Sequence, residues 1–407
     1  MSGIDVQQEN SEAIRALAML SAFFFVVAAG GYLYTLAWSG PFPRDGTSLV
    51  VGRDFLNFWM YGRAAPTADP GRYYDVAEYH RALEALLGPS YPGQNWSYPP
   101  SIFFIAAPFG HLGYLPALLV WTILGGALFF AVSRHHIADN RVLVALILSP
   151  AAILCVISGQ SSLITAAMLV TIFVWLDHRP IAAGILIGLA TLKPQLGILF
   201  PIMLIASGRW RVFASATVTA LALAAATALL FGPQVWVDFI AKGLPTNNLV
   251  LADPERIATP FYPTVFMNLR GIDLPYSAAL AVQLCFSAFA AAAVFWGFRV
   301  RRDADPLWLM ALFFACSVTA VPYMLSYDTL ALTFAALLLL GSGALDAHGR
   351  RFVQLVYWLP IIQVALGNLH VPGPALIAPA FAIYALMCLR ASPASARSFD
   401  AISVTAR

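Results

Sequence analysis

The chain has 407 residues, of which 60% are hydrophobic and only 11% are charged, whereas soluble globular domains carry about 25% charged residues. This composition excludes a water-soluble fold. The formal net charge of +3 is small, and the basic residues are spread between apolar runs instead of forming one patch. The charge distribution therefore argues against nucleic acid as a partner.

Apolar runs that could each cross a hydrocarbon core of about 30 Å recur along the whole chain. They cover residues 14–38, 113–133, 142–158, 161–176, 211–231, 276–298, 307–323, 329–345, 353–367 and 374–390. Two shorter pieces, 180–192 and 195–207, flank Lys193 and Pro194, and we expect two short helices that meet near one membrane surface. The pattern predicts an all-α polytopic protein of about 12 transmembrane helices, with residues 1–407 as a single integral membrane domain.

The connections between these runs predict an orientation. If the amino terminus is cytoplasmic, every inward connection carries arginine, whereas the short outward connections together contain one basic residue, Lys193. The positive-inside rule then places both termini in the cytoplasm. The rule applies only to short connections, and two outward segments are too long for it: residues 39–112 and residues 232–275. The first is predicted to be a large first extracytoplasmic loop with juxtamembrane helices. We expect the functional site in these segments, because they hold most of the polar, aromatic and proline residues.

The first loop contains a carboxylate among aromatic residues. If residues 53–63 are helical, Asp54, Asn57 and Tyr61 share one face. Apolar surroundings raise the pKa of a carboxylate and nearby arginines oppose that effect, so Asp54 suits a general base at neutral pH. Equally, Asp54 could cap a helix and pair with arginine.

Other polar residues fall at the outward ends of the predicted spans. Lys193 needs an anionic partner, either a phosphate at the bilayer surface or a carboxylate such as Asp54 or Asp328; the alternative is that it extends to the interface. Tyr327 and Asp328 form a second outward cluster, although Asp328 could instead cap a helix, and Gln160 lies in a tight turn. The Asp303, Ala304, Asp305 sequence matches a metal-binding pattern of three residues, but it lies in an inward basic connection and is interpreted as a solvated loop.

These residues together resemble glycosyltransferase family 87, integral-membrane enzymes of the GT-C class that use polyprenyl-phosphate sugars. The resemblance extends from Arg53 to about Leu340. Its carriers are Asp54, Phe55, Phe58, Trp59, Gly62, Arg63, Ala64, Tyr74, Asp75, Tyr98, Pro99, Pro100, Gly159, Gln160, Lys193, Pro194, Gln195, Phe231, Gly232, Pro233, Pro322, Tyr323, Tyr327 and Asp328. A mannosyltransferase of this family has an essential aspartate in the first loop, matched here by Asp54. That enzyme also uses a histidine-containing segment at the outer end of a late span, where this chain has Tyr327 and Asp328 and no histidine.

The resemblance implies a GT-C type bundle in the plasma (inner) membrane of a bacterium, with an extracytoplasmic active site. The implied reaction moves a hexose, mannose in the first instance, from a polyprenyl-phosphate donor to a hydroxyl of a lipid or glycan acceptor, with inversion and without a metal or other cofactor. Asp54 would be the general base, and Lys193 with Arg63 would bind the donor phosphate. The expected substrate contacts are Asn57, Trp59, Tyr98, Gln160, Gln195, Tyr327 and Asp328.

A secondary transporter or a flippase of a polar or lipid-linked substrate is the alternative. A transporter predicts charged or broken helices near the middle of the membrane. The polar residues here instead gather at one predicted membrane surface, which favours the transferase.

Overall fold

The computed structural model describes residues 3–38, 40–92, 94–95, 98–252, 260–343 and 345–391, with side chains at all of these except 3–6 and 247–250. The carboxyl-terminal tail and residues 253–259 of the predicted second loop lie outside this part of the chain. Within these ranges the secondary structure is helical, apart from two isolated β-bridges that join Arg44 to Ala37 and to Val50.

The first half of the chain forms eleven α-helices. They are α1 Gly3–Tyr34, α2 Phe55–Ala64, α3 Val76–Leu87, α4 Phe103–Gly110, α5 Tyr114–His136, α6 Asn140–Ile147, α7 Pro150–Ser158, α8 Ser162–Trp175, α9 Pro180–Leu189, α10 Pro194–Gly197 and α11 Phe200–Ser207.

The second half adds nine α-helices in its described ranges. They are α12 Trp210–Phe231, α13 Gln234–Asp238, α14 Leu244–Ala252, α15 Val265–Arg270, α16 Tyr276–Val300, α17 Pro306–Ala320, α18 Leu330–Gly341, α19 Ala347–Gly367 and α20 Ile377–Ala391.

Five of the described helical segments are long and apolar enough to cross a membrane, or six if the bent pair α6 and α7 forms one span. The five are Gln7–Tyr34, Tyr114–His136, Trp210–Phe231, Tyr276–Val300 and Gly373–Ala391. Six further apolar segments of 10–17 residues are shorter. The all-helical membrane architecture is thus confirmed, whereas the predicted count of 12 spanning helices is not, because breaks such as the one at Lys193 divide the apolar sequence into short helices.

Two helices occupy the centre of the main core. Every residue of α17 is buried, as are Leu330–Leu340 of α18. These helices are apolar around their whole circumference, which is the pattern of a helix surrounded by others. The connection between them, residues 321–329, carries Tyr327 and Asp328.

Small residues allow close packing between helices at the edge of this core. A Cβ added to Gly184 or Gly188 of α9 would lie 2.5 Å from the Cβ atom of Ser215 or Thr219 of α12, respectively. In a membrane such close approach replaces the hydrophobic effect as the source of helix association.

A second, aromatic core belongs to the first loop. Phe55 and Phe58 of α2 pack against Phe109 and Trp121, with the Phe58 and Trp121 ring centroids 4.2 Å apart. This core fixes α2 against α4 and the start of α5. The amino-terminal end of α2, where Asp54 lies, is therefore held rigidly.

Candidate active site

The turn between α7 and α8 lies directly against the start of α2. Gly159 ends α7 with a φ of 64°, and a Cβ there would lie 2.6 Å from the Phe55 Cβ and 2.7 Å from the Gly52 carbonyl oxygen. The Asp54 backbone N–H donates to the Ser158 carbonyl at 3.0 Å. A glycine is needed because the backbones touch and the conformation is left-handed, and the contact brings Gln160 beside Asp54.

Asp54 accepts two side-chain hydrogen bonds on the same oxygen. Its Oδ2 accepts from the Gln160 Nε2 at 3.0 Å and from the Tyr327 hydroxyl at 2.9 Å. Its Oδ1 accepts no hydrogen bond from the residues that the structure describes, and the side chain is only partly buried. The carboxylate is thus fixed through one oxygen while the other remains available.

Asp54 neither caps its helix nor pairs with arginine. It precedes α2, but its side chain makes no capping hydrogen bond. The neighbouring Arg53 donates instead to the Oδ2 of Asp45 at 2.7 Å. The capping alternative is therefore wrong.

Burial raises the pKa of Asp54 above its ordinary value, and the hydrogen bonds from Gln160 and Tyr327 and the charge of Lys193 reduce that shift. Desolvation makes a carboxylate a stronger base, while the donors keep its charged form accessible. A partly buried carboxylate with these partners can accept a proton from a hydroxyl group.

Lys193 is buried and paired with a carboxylate. Its ammonium donates to the Oδ1 of Asp328 at 2.9 Å and to the Oε1 of Gln160 at 3.3 Å, and it lies 5.6 Å from the centre of the Tyr327 ring. The Ser162 hydroxyl donates to the same Asp328 oxygen at 2.5 Å. The Lys193 side chain is therefore enclosed by the protein, and Asp328 serves as its ion partner inside a 3₁₀ turn and not as the cap of a helix.

The non-helical position of Lys193 comes from the sequence around it. The 3₁₀ turn Ala190–Leu192 ends at Lys193, whose φ of −127° and ψ of 74° are outside the helical region. Pro194 disfavours a helical conformation at the residue before it and begins α10. The break that we predicted at this point is confirmed.

Tyr98 joins the same network from the end of the first loop. Its hydroxyl donates to the Oε1 of Gln160 at 3.2 Å, and its backbone N–H donates to the Tyr61 hydroxyl oxygen at 2.8 Å. The Tyr74 hydroxyl donates to the Tyr98 carbonyl at 2.9 Å. Tyr98 is thus held by its backbone and contacts Gln160 through its side chain.

The structure brings together Asp54, Tyr98, Gln160, Lys193, Tyr327 and Asp328. Of the other predicted site residues, Arg63, Trp59 and Asn57 make contacts outside this network. Arg63 is exposed and stacks on Trp59 at 4.9 Å, nine residues after Asp54 and so about 13 Å further along the helix. Trp59 donates to the Leu112 carbonyl at 3.0 Å and is buried. Asn57 accepts from the Tyr79 hydroxyl at 2.5 Å, and Gln195 is half-buried next to the Lys193 break.

Ser162 and Asp45 are parts of the arrangement that the sequence did not indicate. Ser162 begins an apolar helix, where a hydroxyl is ordinarily a local hydrogen-bond donor. Asp45 precedes Arg53 by eight residues with no helical spacing to suggest the pair. Only the fold shows that these two residues complete the partners of Asp328 and Arg53.

The short Asp303 and Asp305 pattern has a structural explanation. The Asp305 side chain accepts the Leu307 N–H at 2.9 Å and caps α17. In the part of the chain that the structure describes, no group of three His, Cys, Asp or Glu side chains is placed to hold a metal ion.

Comparison with known proteins identifies the family. The model of glycosyltransferase family 87 matches residues 96–326, a range that includes Tyr98, Gln160 and Lys193 and ends before Tyr327. Asp54 precedes the matched range. No curated protein and no solved structure matches the chain. Because the family model covers more than half of the sequence, the chain belongs to glycosyltransferase family 87.

Proposed function

We propose that this membrane glycosyltransferase moves a hexose, with mannose as the first choice, from a polyprenyl-phosphate donor to a hydroxyl group of a lipid or glycan acceptor. The proposed active site is extracytoplasmic and Asp54 is the general base. The observation that carries the proposal is the environment of Asp54, whose Oδ2 is held by Gln160 and Tyr327 while its Oδ1 accepts no hydrogen bond from a described residue.

In the proposed step, Oδ1 of Asp54 takes the proton of the acceptor hydroxyl. The hydroxyl oxygen forms a bond to the anomeric carbon as the bond between that carbon and the phosphate oxygen breaks. The polyprenyl phosphate leaves with the electron pair, and the configuration at the anomeric carbon is inverted. A single base is sufficient, because the departing phosphate is already an anion and needs no protonation.

Lys193 is the proposed contact for the departing phosphate. An ammonium has three N–H groups, and Asp328 and Gln160 accept two of them. A phosphate oxygen would accept a hydrogen bond from the third N–H group. Stabilisation of charge is strong in such a site because water is excluded. Arg63 is not part of this contact, because it lies on Trp59 about two and a half helical turns from Asp54.

The remaining proposed substrate contacts are Tyr98, Tyr327 and Gln195. The aromatic rings offer flat faces for a sugar ring, and Tyr98 and Tyr327 are both linked to the Asp54 network. The transporter or flippase alternative is set aside, because the chain belongs to a transferase family.

The test uses the purified full-length chain in lipid nanodiscs. It is incubated with polyprenyl-phosphate mannose or polyprenyl-phosphate glucose together with extracted bacterial lipids and glycans. We expect a product heavier by one hexose, with an anomeric configuration opposite to that of the donor. Retention of configuration would contradict the single displacement, and transfer from a nucleotide sugar but from neither lipid-phosphate donor would contradict the donor class.

A further inference from the structure

The side-chain amide of Gln160 has a fixed orientation. Its Oε1 accepts from the Lys193 ammonium at 3.3 Å, from the Tyr98 hydroxyl at 3.2 Å and from the Ser161 backbone N–H at 3.2 Å. An ammonium and a backbone N–H can only donate. The oxygen of the amide must therefore face them, and the NH₂ group must face Asp54, to which it donates at 3.0 Å.

A buried ion pair lies behind this amide. The side chains of Lys193 and Asp328 are 7% and 4% exposed, respectively. Donors in a hydrogen-bonded chain polarise one another in a medium of low dielectric constant. The ammonium at the oxygen end of Gln160 consequently strengthens the N–H donor at its other end.

The turn that carries Gln160 cannot move independently of Asp54. Gln160 donates its backbone N–H to the Cys155 carbonyl at 2.9 Å, and Trp121 donates to the Gly159 carbonyl at 3.1 Å. Since the Asp54 backbone is bonded to Ser158 of the same turn, the amide and the carboxylate are held by one rigid unit.

We propose that Gln160 is a positioning residue of the transfer reaction, which transmits the charge of Lys193 to Asp54 and holds Oδ2 so that Oδ1 faces the acceptor hydroxyl. This inference rests on the proposed function of Asp54 as the base. It changes the expected role of Gln160 from a contact with substrate to an indirect one, because both ends of its amide are occupied by the protein.

The other groups that interact electrostatically with Asp54 come from several elements, and the effect of Gln160 must be measured against them. They are Arg53, Tyr91, Tyr98, Tyr114, Lys193, Tyr323 and Tyr327.

The test measures the protonation of Asp54 without substrate. The infrared carbonyl band of the protonated carboxyl group is followed against pH in the full chain in nanodiscs, and it is identified as the band that Asp54→Asn removes. In Gln160→Ala we expect the midpoint to rise by about one pH unit, because the charged form loses a donor. The matched control is Gln234→Ala, an exposed glutamine whose amide donates to Asp238 at 3.4 Å, and it should leave the midpoint unchanged.

A second variant, Gln160→Glu, keeps the proposal testable if Gln160→Ala does not fold. Gln160→Glu keeps the oxygen that faces Lys193 and Tyr98 but replaces the donor to Asp54 by a carboxylate. The two carboxyl groups should share a proton, so that the last proton leaves at a higher pH than in the wild type. In both variants the acid limb of the pH profile of kcat should shift in parallel, with KM for the donor changed less than threefold.

A midpoint within about 0.2 pH units of wild type in both variants would overturn the positioning role, even if both were less stable. Because the infrared measurement needs no donor or acceptor, it decides this proposal separately from the transferase assay. A chain that shows the midpoint shifts but no sugar transfer would refute the proposed function and retain the coupling between Gln160 and Asp54.

Discussion

At the scale of single residues, the surroundings of Asp54 have opposite effects on the pKa of its carboxyl group. Burial raises the pKa of the carboxyl group, and two hydrogen-bond donors and two nearby cations, Lys193 and Arg53, limit the rise. The base in the proposed reaction must be charged before the acceptor arrives and must accept a proton during the transfer. A raised pKa together with donors that stabilise the charged form satisfies both requirements.

The wild-type transfer rate should therefore fall as the pH is lowered through a value above 3.9, the ordinary pKa of aspartate, because only the charged form can act as a base. Tyr327→Phe removes one donor from the charged form, and its acid limb should move to higher pH. The measurement is kcat against pH, with the exposed Tyr34→Phe as the control. An acid limb that stays in place in Tyr327→Phe would refute a role for this hydroxyl in stabilising the carboxylate.

The ion pair of Lys193 and Asp328 should show strong coupling. Lys193→Met leaves the Asp328 carboxylate buried without its cation, at a cost of about 3–5 kcal/mol in the free energy of unfolding. The double variant Lys193→Met with Asp328→Asn removes both charges and should recover most of that loss. Thermal unfolding in detergent compares Lys193→Met, Asp328→Asn and the double variant, with Arg302→Gln as the control for an exposed pair. Additive losses in the double variant would contradict the pairing.

The sequence predicts which residues belong to the site around Asp54 better than it predicts which of them contact one another. Asp54, Lys193 and Asp328 could be selected as ionisable groups at the ends of apolar runs. The carboxylate that pairs with Lys193 could not be chosen, because Asp54 and Asp328 were both available. Asp54 and Gln160 are separated by 106 positions in the sequence, so no local pattern predicts their contact. It depends on how the turn after α7 packs against α2.

At the scale of elements, connections between helices assemble the site. The turn between α7 and α8, the break before α10 and the segment between α17 and α18 meet at the start of α2. Of these, the break was predictable from Lys193 and Pro194, whereas the tight fit at Gly159 follows only from the packing.

Gly159→Ala tests this fit. The added Cβ would clash with backbone and with the Phe55 Cβ, and the φ of 64° disfavours any side chain. We therefore expect the free energy of unfolding to fall by several kcal/mol, more than the roughly 1–2 kcal/mol expected from backbone strain alone. Gly208→Ala is the matched control, because Gly208 has a φ of 68° with nothing within 4 Å of an added Cβ. Thermal unfolding compares the two. Equal losses in both variants would show that the contact with α2 is not tight.

At the scale of the whole molecule, the apolar pattern predicts the helical architecture but not the number of helices that span the membrane. Composition and run length exclude a soluble protein because the apolar surface is too large. They cannot show where a run breaks into two short helices or lies inside the bundle, as α17 and α18 do. The number of spans depends on packing and not on hydrophobicity alone.

The charge bias predicts that the first loop is extracytoplasmic and the connection before α19 is cytoplasmic. In a Cys285→Ser background, which removes an exposed native thiol, Ser90→Cys should react with a membrane-impermeant maleimide in cells whose inner membrane is intact. Ala347→Cys should react only after that membrane is permeabilised. Both positions are exposed. If only Ala347→Cys were labelled in intact cells, the orientation would be the opposite of the predicted one.

The role of Asp54 is tested most directly by the transfer rate of Asp54→Asn with a polyprenyl-phosphate sugar. Asparagine keeps an oxygen for Gln160 and Tyr327 but cannot take a proton, so kcat should fall by at least about a hundredfold. The melting temperature at neutral pH should not fall, because burial favours the uncharged form of this side chain. A correctly folded Asp54→Asn enzyme that retains more than a few per cent of the wild-type rate would contradict the assignment of Asp54 as the base.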